Sequence, residues 1–235
     1  MPKYKRILLK LSGEALAGEN GFGIDRERIS EIAAEIAAAA RGGVQFGLVV
    51  GGGNFFRGIQ ASQTGIERVS VDYMGMLATV INAIALQDFL KVQQLKARVL
   101  SAISVEPVAE RFTRRAALGY LNGGEVVVFA AGTGCPFFST DTAASLRAIE
   151  IEADVFAKAT KVDGVYDKDP VKHSDARRYD KISYADVLTD GLAVMDAAAV
   201  SLCRENRMPV VVFNLNTPGN IGRLAAGETI GTLIS

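Results

Sequence analysis

Four short segments of this chain gather residues suited to handling phosphate. In "FGLVVGGGNFFRG", residues 46–58, an apolar run stops at Gly51, Gly52 and Gly53, and Arg57 follows. Glycines lack Cβ atoms, so the backbone can bend sharply and approach a ligand. Successive N–H groups in such a bend can form an anion nest, and an arginine fork matches phosphate oxygens. An ordinary tight turn would use the same glycines. In "ILLKLSGEA", Lys10 interrupts an apolar run just before Leu11, Ser12 and Gly13. A buried lone ammonium is costly, so Lys10 either meets an anionic partner or ligand or snorkels to solvent.

The third segment, "AAGTGCPFFSTDTAAS" at 130–145, repeats this pattern of apolar run, glycines and helix start. Thr133, Ser139 and Thr140 offer hydroxyls there. Asp141 is either a helix cap or a carboxylate that orients a lysine or a metal. The fourth, "KATKVDGVYDKDP" at 158–170, packs Asp163, Asp167 and Asp169 among Lys158 and Lys161. A solvated loop has the same look. Its spacing fails the EF-hand pattern, because no glutamate stands at the last ligand position. Tyr166 in this loop could stack on a base or anchor the loop.

The elements that must position these residues follow from hydrophobic periodicity. Candidate strands are 5–11, 44–50, 97–103, 125–131, 153–159, 209–214 and 232–235. Several are apolar on both faces, as in a parallel sheet covered by helices. Asp25 can cap a helix with its apolar stripe at Ile29, Ile32, Ala33, Ile36 and Ala40, ended by Gly42 and Gly43. Further helices are expected from about Asp72 to Lys96, from 106 to 119 with Pro107 in the first turn, after Thr140 or Asp141, and after Asp196. The fold class is α/β, with a mostly parallel central sheet sandwiched by helices. Ligands of such sheets bind beyond the carboxyl ends of the strands, where all four segments fall.

Composition narrows the function. The 235 residues suit one large domain or two joined lobes. Basic and acidic residues balance at 26 each, so no global field favours nucleic acid or an anionic membrane. No apolar stretch is expected to span a bilayer, and the start does not read as a signal peptide. Cys135 and Cys203 lie far apart without metal-type spacing, which fits a reduced cytoplasmic setting. His173 is the one histidine, so a His-based zinc site or a Ser-His-Asp triad lacks material. No Walker P-loop, complete Rossmann fingerprint or protein-kinase H-R-D motif occurs.

In this order the segments resemble the amino-acid kinase superfamily, and within it the bacterial uridylate (UMP) kinase family. The resemblance runs from "KRILLKLSGEAL" to "GTLIS" and includes "GFGID", "GGGNFFRG", "DYMGMLATVINA", "AAGTGCPFFSTD", "IEADVFAKATKVDGVYDKDP" and "VMDAAA". It implies one domain over 1–235, with UMP held by the part before about 150 and ATP by the part after it. The implied reaction is ATP + UMP to ADP + UDP, with Mg²⁺ accompanying ATP and no protein metal ligand assigned.

The resemblance also implies roles residue by residue. Lys10, Leu11, Ser12, Gly13, Gly53 and Arg57 would lie along the ATP phosphates, and Thr160, Tyr166 and Asp169 at adenine and ribose. Gly52, Asp72 and the run Thr133, Gly134, Cys135, Pro136, Phe137, Phe138, Ser139 and Thr140 would bind UMP. Lys10, Arg57, Asp141 and Asp196 would form the catalytic set, with Asp141 orienting the lysine and Lys158 as a further basic contact. Gly18, Glu19, Asn20, Gly21, Phe22 and Gly23 would belong to an allosteric GTP site, with GTP activating, UTP inhibiting and a homohexamer as the assembly. The alternatives are a small-carboxylate kinase of the same superfamily, such as a glutamate, acetylglutamate or aspartate kinase, and a non-catalytic nucleotide-binding protein.

Overall fold

The computed structural model describes residues 2–56 and 65–235. Arg57, expected at the phosphates, lies outside the described residues. The apolar runs form strands: β1 (Arg6–Leu11), β2 (Gln45–Val50), β3 (Ala97–Ser101), β4 (Glu110–Arg111), β5 (Val126–Ala130), β6 (Val155–Thr160), β7 (Val165–Tyr166), β8 (Arg178–Tyr179), β9 (Lys181–Ile182), β10 (Val210–Asn214) and β11 (Thr232–Ile234). Among the described residues, nine of them make one sheet in the order β4-β3-β5-β2-β1-β6-β10-β11-β9. All neighbours are parallel except β10 with β11. The remaining two, β7 and β8, form a small antiparallel pair.

The helices are α1 (Arg26–Arg41), α2 (Arg68–Val92), α3 (Arg114–Asn122), α4 (Thr140–Glu150), α5 (Tyr184–Thr189), α6 (Ala197–Glu205) and α7 (Asn220–Ala226). Strand alternation sorts the core into two layers. Ile7, Leu9 and Leu11 of β1 point towards Ile29 and Ile36 of α1, Leu86 of α2 and Leu224 of α7. Leu8 joins Phe156 of β6, Leu121 of α3, Ala144 of α4, Val187 of α5 and Cys203 of α6 on the opposite face. Every residue of β1 and β5 is buried, which is why those runs are apolar at consecutive positions.

Several boundaries differ from expectation, each for a local reason. The segment around Pro107 is not a helix: the Glu106–Pro107 peptide is cis, and Val105 pairs with Ala109 just before β4. The helix there starts at Arg114, capped by the Thr113 side chain. The long helix α2 starts at Arg68, so Asp72 lies one turn inside rather than at its opening. By length and composition α2 is apolar enough to cross a membrane, contrary to the sequence reading. It is a layer of the sandwich instead, with Val71, Ala83, Leu86 and Leu90 buried. The short elements β4, β7, β8, β9, α5 and α7 carry too little periodic pattern to be read from sequence.

Candidate active site

Two lysines stand at the carboxyl ends of adjacent central strands. β1 and β6 are parallel neighbours, with Lys10 directly opposite Lys158. Each follows by two residues a side chain buried in the layer beneath α4, Leu8 and Phe156. The period of two therefore sends both lysines to that same face. The N-terminus of α4 meets them there. Ser139 caps it by accepting from the N–H groups of Asp141 and Thr142, so Asp141 sits in the first turn and is not itself the cap. The Asp141 carboxylate lies between the two ammonium groups. Lys10 Nζ is 2.9 Å from Asp141 Oδ1. Lys158 Nζ donates to Asp141 Oδ2 and to the carbonyl of Val194.

This cluster is nearly out of water, with side-chain exposures of 11% for each lysine and 14% for Asp141. Burial pushes the Asp141 carboxyl up, but Lys10 and Lys158 outweigh that and hold it below the ordinary carboxylate value. Burial pushes Lys158 down, and Asp141 restores only part of the difference while Lys10 opposes it further. Two ammonium groups share the one carboxylate they contact directly, with Asp196 as a more distant negative charge acting on Lys158, so an incoming anion would find donors there. Asp141 Oδ1 receives no aligned hydrogen bond, so Lys10 is tethered to it by charge.

The glycines divide the labour. Gly51 N–H donates to Leu11 O at 3.0 Å, joining the turn after β2 to the end of β1. A Cβ on Gly13 would stand 2.6 Å from Gly53 N and 2.7 Å from Gly51 O. One on Gly52 would stand 2.7 Å from Gly75 O and 2.9 Å from Ala78 Cβ, both in α2. Gly13 and Gly52 are therefore required by packing of one backbone on another. Gly53 alone of these opens outward, its nearest neighbour for a Cβ being Glu14 Cγ at 3.8 Å. Leu11 puts its side chain in the core, which leaves only its backbone near the site. Ser12 spends its hydroxyl accepting from Ala15 N–H at 3.2 Å.

Asp196 is a strut. It caps α6 by accepting from Ala199 N–H at 3.0 Å, and it also accepts from Thr142 Oγ1 at 2.8 Å and from the Ser139 hydroxyl. It thus ties the starts of α4 and α6 together. Asp72 is a latch on the loop after β5. Its carboxylate accepts from Arg68 Nε at 2.9 Å and from Phe137 N–H at 2.8 Å. Thr79, two turns on, accepts Ala131 N–H at 2.7 Å. Ala131 and Phe137 both hold positive φ, 62° and 71°. Such a backbone costs on the order of 1 kcal/mol per residue, and the two bonds from α2 offset it.

Two cavities flank the cluster. The first, about 390 Å³, lies between α2 and the loop after β5 and is lined by Gly52, Gly53, Asp72, Thr133, Cys135, Phe137, Phe138, Ser139 and Thr140. Gly134 and Pro136, expected with them, do not line it, and Gly134 packs on Ala102 instead. Arg68 does line it and was missed by sequence reasoning; its position four residues before Asp72 on one helix was the available signal. The second cavity, about 570 Å³, is lined by Lys158, Thr160, Tyr166 and Asp169. The Tyr166 hydroxyl donates to Asp163 at 2.6 Å, which fixes the ring. Asp141 directly follows Thr140 of the first cavity and binds Lys158 of the second, so the cationic cluster stands where the two approach. Gly18 and Glu19 line a third cavity of about 370 Å³, which Ser12 also lines and which shares Thr160 with the second, and Gly23 is bonded to Asn54 next to the glycine turn.

A model of the amino acid kinase family matches residues 5–214. Solved structures agree with this. A UMP kinase from Bacillus anthracis is 40% identical, with 99% of this chain and 96% of that one covered at a TM-score of 0.96. A UMP kinase from Ureaplasma parvum is 34% identical, with 99% of each chain covered and a TM-score of 0.93. A uridylate kinase from Archaeoglobus fulgidus is 32% identical over 97% of this chain and 99% of that one, with a TM-score of 0.76.

The packing roles can be checked by denaturant unfolding. Gly52→Ala should cost about 1–3 kcal/mol, because two backbone segments must separate. Gly53→Ala should stay within about 0.5 kcal/mol. Asp141→Asn should cost about 3 kcal/mol or more at neutral pH by leaving two ammonium groups uncompensated. The folded pKa of Asp141 is depressed below its ordinary value of 3.8. Its contribution is therefore complete above that pH and is lost as pH falls through the folded value. The difference between wild type and Asp141→Asn should be flat above that point while both lysines stay charged, and shrink below it and again at high pH as Lys158, itself pushed down, loses its proton.

Proposed function

The chain belongs to the amino acid kinase family, and from that premise we propose that it transfers the γ-phosphoryl group of ATP to UMP, giving ADP and UDP. One observation carries the reading: the buried cluster of Lys10, Lys158 and Asp141 reaches one cavity through Lys158, and Asp141 follows Thr140, which lines the other. The likeness to UMP kinases at 32–40% identity over nearly the full chain supports the choice of acceptor. UMP occupies the cavity between α2 and the loop after β5, and ATP the cavity beside Tyr166 and Asp169. The acceptor side thus lies before about residue 150 and the donor side largely after it.

The reaction needs charge handling more than proton transfer. The attacking UMP phosphate oxygen is ionised at neutral pH and requires no strong base. Two polyanions must instead be brought end to end against their mutual repulsion. Lys10 and Lys158 supply fixed positive charge there, Gly53 lines the acceptor cavity, and Arg57 is assigned to the phosphates from its place in "GGGNFFRG". As the phosphates enter, Lys10 can turn towards them while Asp141 keeps its position. Asp196 acts indirectly by fixing the helix that carries Asp141. Mg²⁺ belongs to the substrate as Mg·ATP. No protein ligand is assigned to it, and it would be carried by the phosphate oxygens of ATP.

Three further properties belong to the same proposal. The chain self-associates, with a homohexamer as the proposed assembly. Support comes from α2, where Tyr73, Leu77 and Ile81 recur every four residues and are 42%, 48% and 49% exposed. GTP activates and UTP inhibits, with the exposed Gly18–Gly23 segment as the effector element. Gly23 is bonded to Asn54 beside the glycine turn, which supports such a link. The setting is the reducing cytoplasm, supported by two unpaired cysteines, of which Cys135 is exposed in the acceptor cavity.

The deciding experiment is ADP release from ATP with UMP, CMP, glutamate and acetylglutamate, each with and without GTP or UTP. Turnover is expected with UMP. Turnover with a carboxylate alone would assign the sibling chemistry, and ATP binding without turnover would make the chain a nucleotide binder. Lys10→Ala should lower kcat at least about 10²-fold, the scale of one preorganised electrostatic contact. A fully active alanine variant would refute that role.

A further inference from the structure

We propose that Asn82, which touches neither cavity, is a positioning residue for phosphoryl transfer. With Asn54 it forms a buried clasp that sets the spacing between the donor-side turn at Ser12–Gly13 and the acceptor-side turn at Gly51–Gly53. The proposal rests on the kinase reading given above.

The two asparagines are buried completely, at 1% exposure for Asn54 and 0% for Asn82. Their side chains pair reciprocally. Asn54 Nδ2 donates to Asn82 Oδ1 at 2.9 Å, and Asn82 Nδ2 donates to Asn54 Oδ1 at 2.7 Å. Each amide has one hydrogen left, and both go to backbone carbonyls at 2.7 Å: Asn82 to Gly51 O and Asn54 to Gly23 O. Both outer partners are acceptors, so the amide orientations are forced. Every side-chain N–H is used. Such a network in a dry site holds one geometry, because any slip leaves a buried polar group unpaired.

What the clasp holds explains its place. Asn82 belongs to α2, the rigid wall of the acceptor cavity. Through Gly51 O it fixes the first residue of the triple-glycine turn. Asn54 is the residue that follows that turn, and its Oδ1 lies where a Gly13 Cβ would be, at 2.6 Å. The amide pair is thus wedged against the turn that ends β1, immediately after Lys10 and Ser12. One network touches both glycine turns and anchors them to one helix. Each nucleotide keeps its own binding contacts when the clasp is lost. What changes is the alignment of donor and acceptor phosphates, to which transfer rates are far more sensitive than binding.

The test uses the full-length enzyme, with wild-type turnover of ATP and UMP measured first. Asn82→Asp keeps the shape but removes both donors. Asn82→Ser shortens the side chain as a second variant. Leu121→Ala, in α3 far from both turns, gives a comparison that loses stability without touching the clasp. For both Asn82 variants kcat should fall about 10- to 100-fold, while the KM values for ATP and UMP stay within about threefold. Leu121→Ala should keep the wild-type kcat per folded molecule. A kcat within twofold of wild type in folded Asn82→Asp, or a loss that only tracks the unfolded fraction, overturns the proposal. Failure of both Asn82 variants to fold also overturns it, since the pair is then a stability element. No turnover by wild type with any acceptor would defeat the kinase reading itself, which is a separate outcome.

Discussion

A single carboxylate held between two buried ammonium groups governs the architecture of this site. Lys10 and Lys158 occupy opposed positions on adjacent strands, where like charges would otherwise repel at close range in a poorly hydrated space. Asp141 makes that arrangement tolerable. Its placement depends on the Ser139 cap, which starts α4 in register, and on Asp196, which braces α4 against α6. The Val194 carbonyl takes a further hydrogen of Lys158. The two ammonium groups share a single directly bonded carboxylate, a costly arrangement for an empty fold and a favourable one for a polyanion.

The remaining parts divide into a wall for each proposed ligand and a seam between them. Helix α2 is the wall of the proposed acceptor side. Through Asp72 and Thr79 it holds the loop after β5 in a backbone shape that non-glycine residues rarely adopt. Through Asn82 it holds the triple-glycine turn. The proposed donor side is shaped by the loop from Thr160 to Pro170, with Tyr166 fixed by Asp163. The seam is the row of carboxyl ends of the central strands β1, β2 and β6. Catalysis on this plan is alignment and charge compensation, and a chain with one histidine has what it needs.

Much of this was legible in the sequence. Buried central strands announce themselves by apolar residues at consecutive positions, and a lysine inside such a run demands a partner. Asp25 and Asp196 read correctly as caps, because cap and stripe are local signals. Other features depend on distant neighbours and leave no local trace. Lys158 has the weight of Lys10 only once β6 is known to lie beside β1. The three glycines read as one anion nest, yet Gly52 answers to Gly75 and Ala78 some two dozen residues on. Asn82 sits in a helix and looks like any polar residue on an exposed face until its partners are known. Pro107 misled because proline suits both a helix start and a turn, and here Val105 pairs with Ala109 across it.

The central claim is that fixed cations and bare backbone amides at this seam align two nucleotide phosphate chains. The most direct test is a crystal structure with UMP and a non-hydrolysable ATP analogue bound together. The account requires the two phosphate chains to meet end to end, with Lys10 turned towards them and the acceptor phosphate against Gly53. Nucleotides seated elsewhere, or phosphate chains pointing apart with Lys10 still on Asp141, would contradict it.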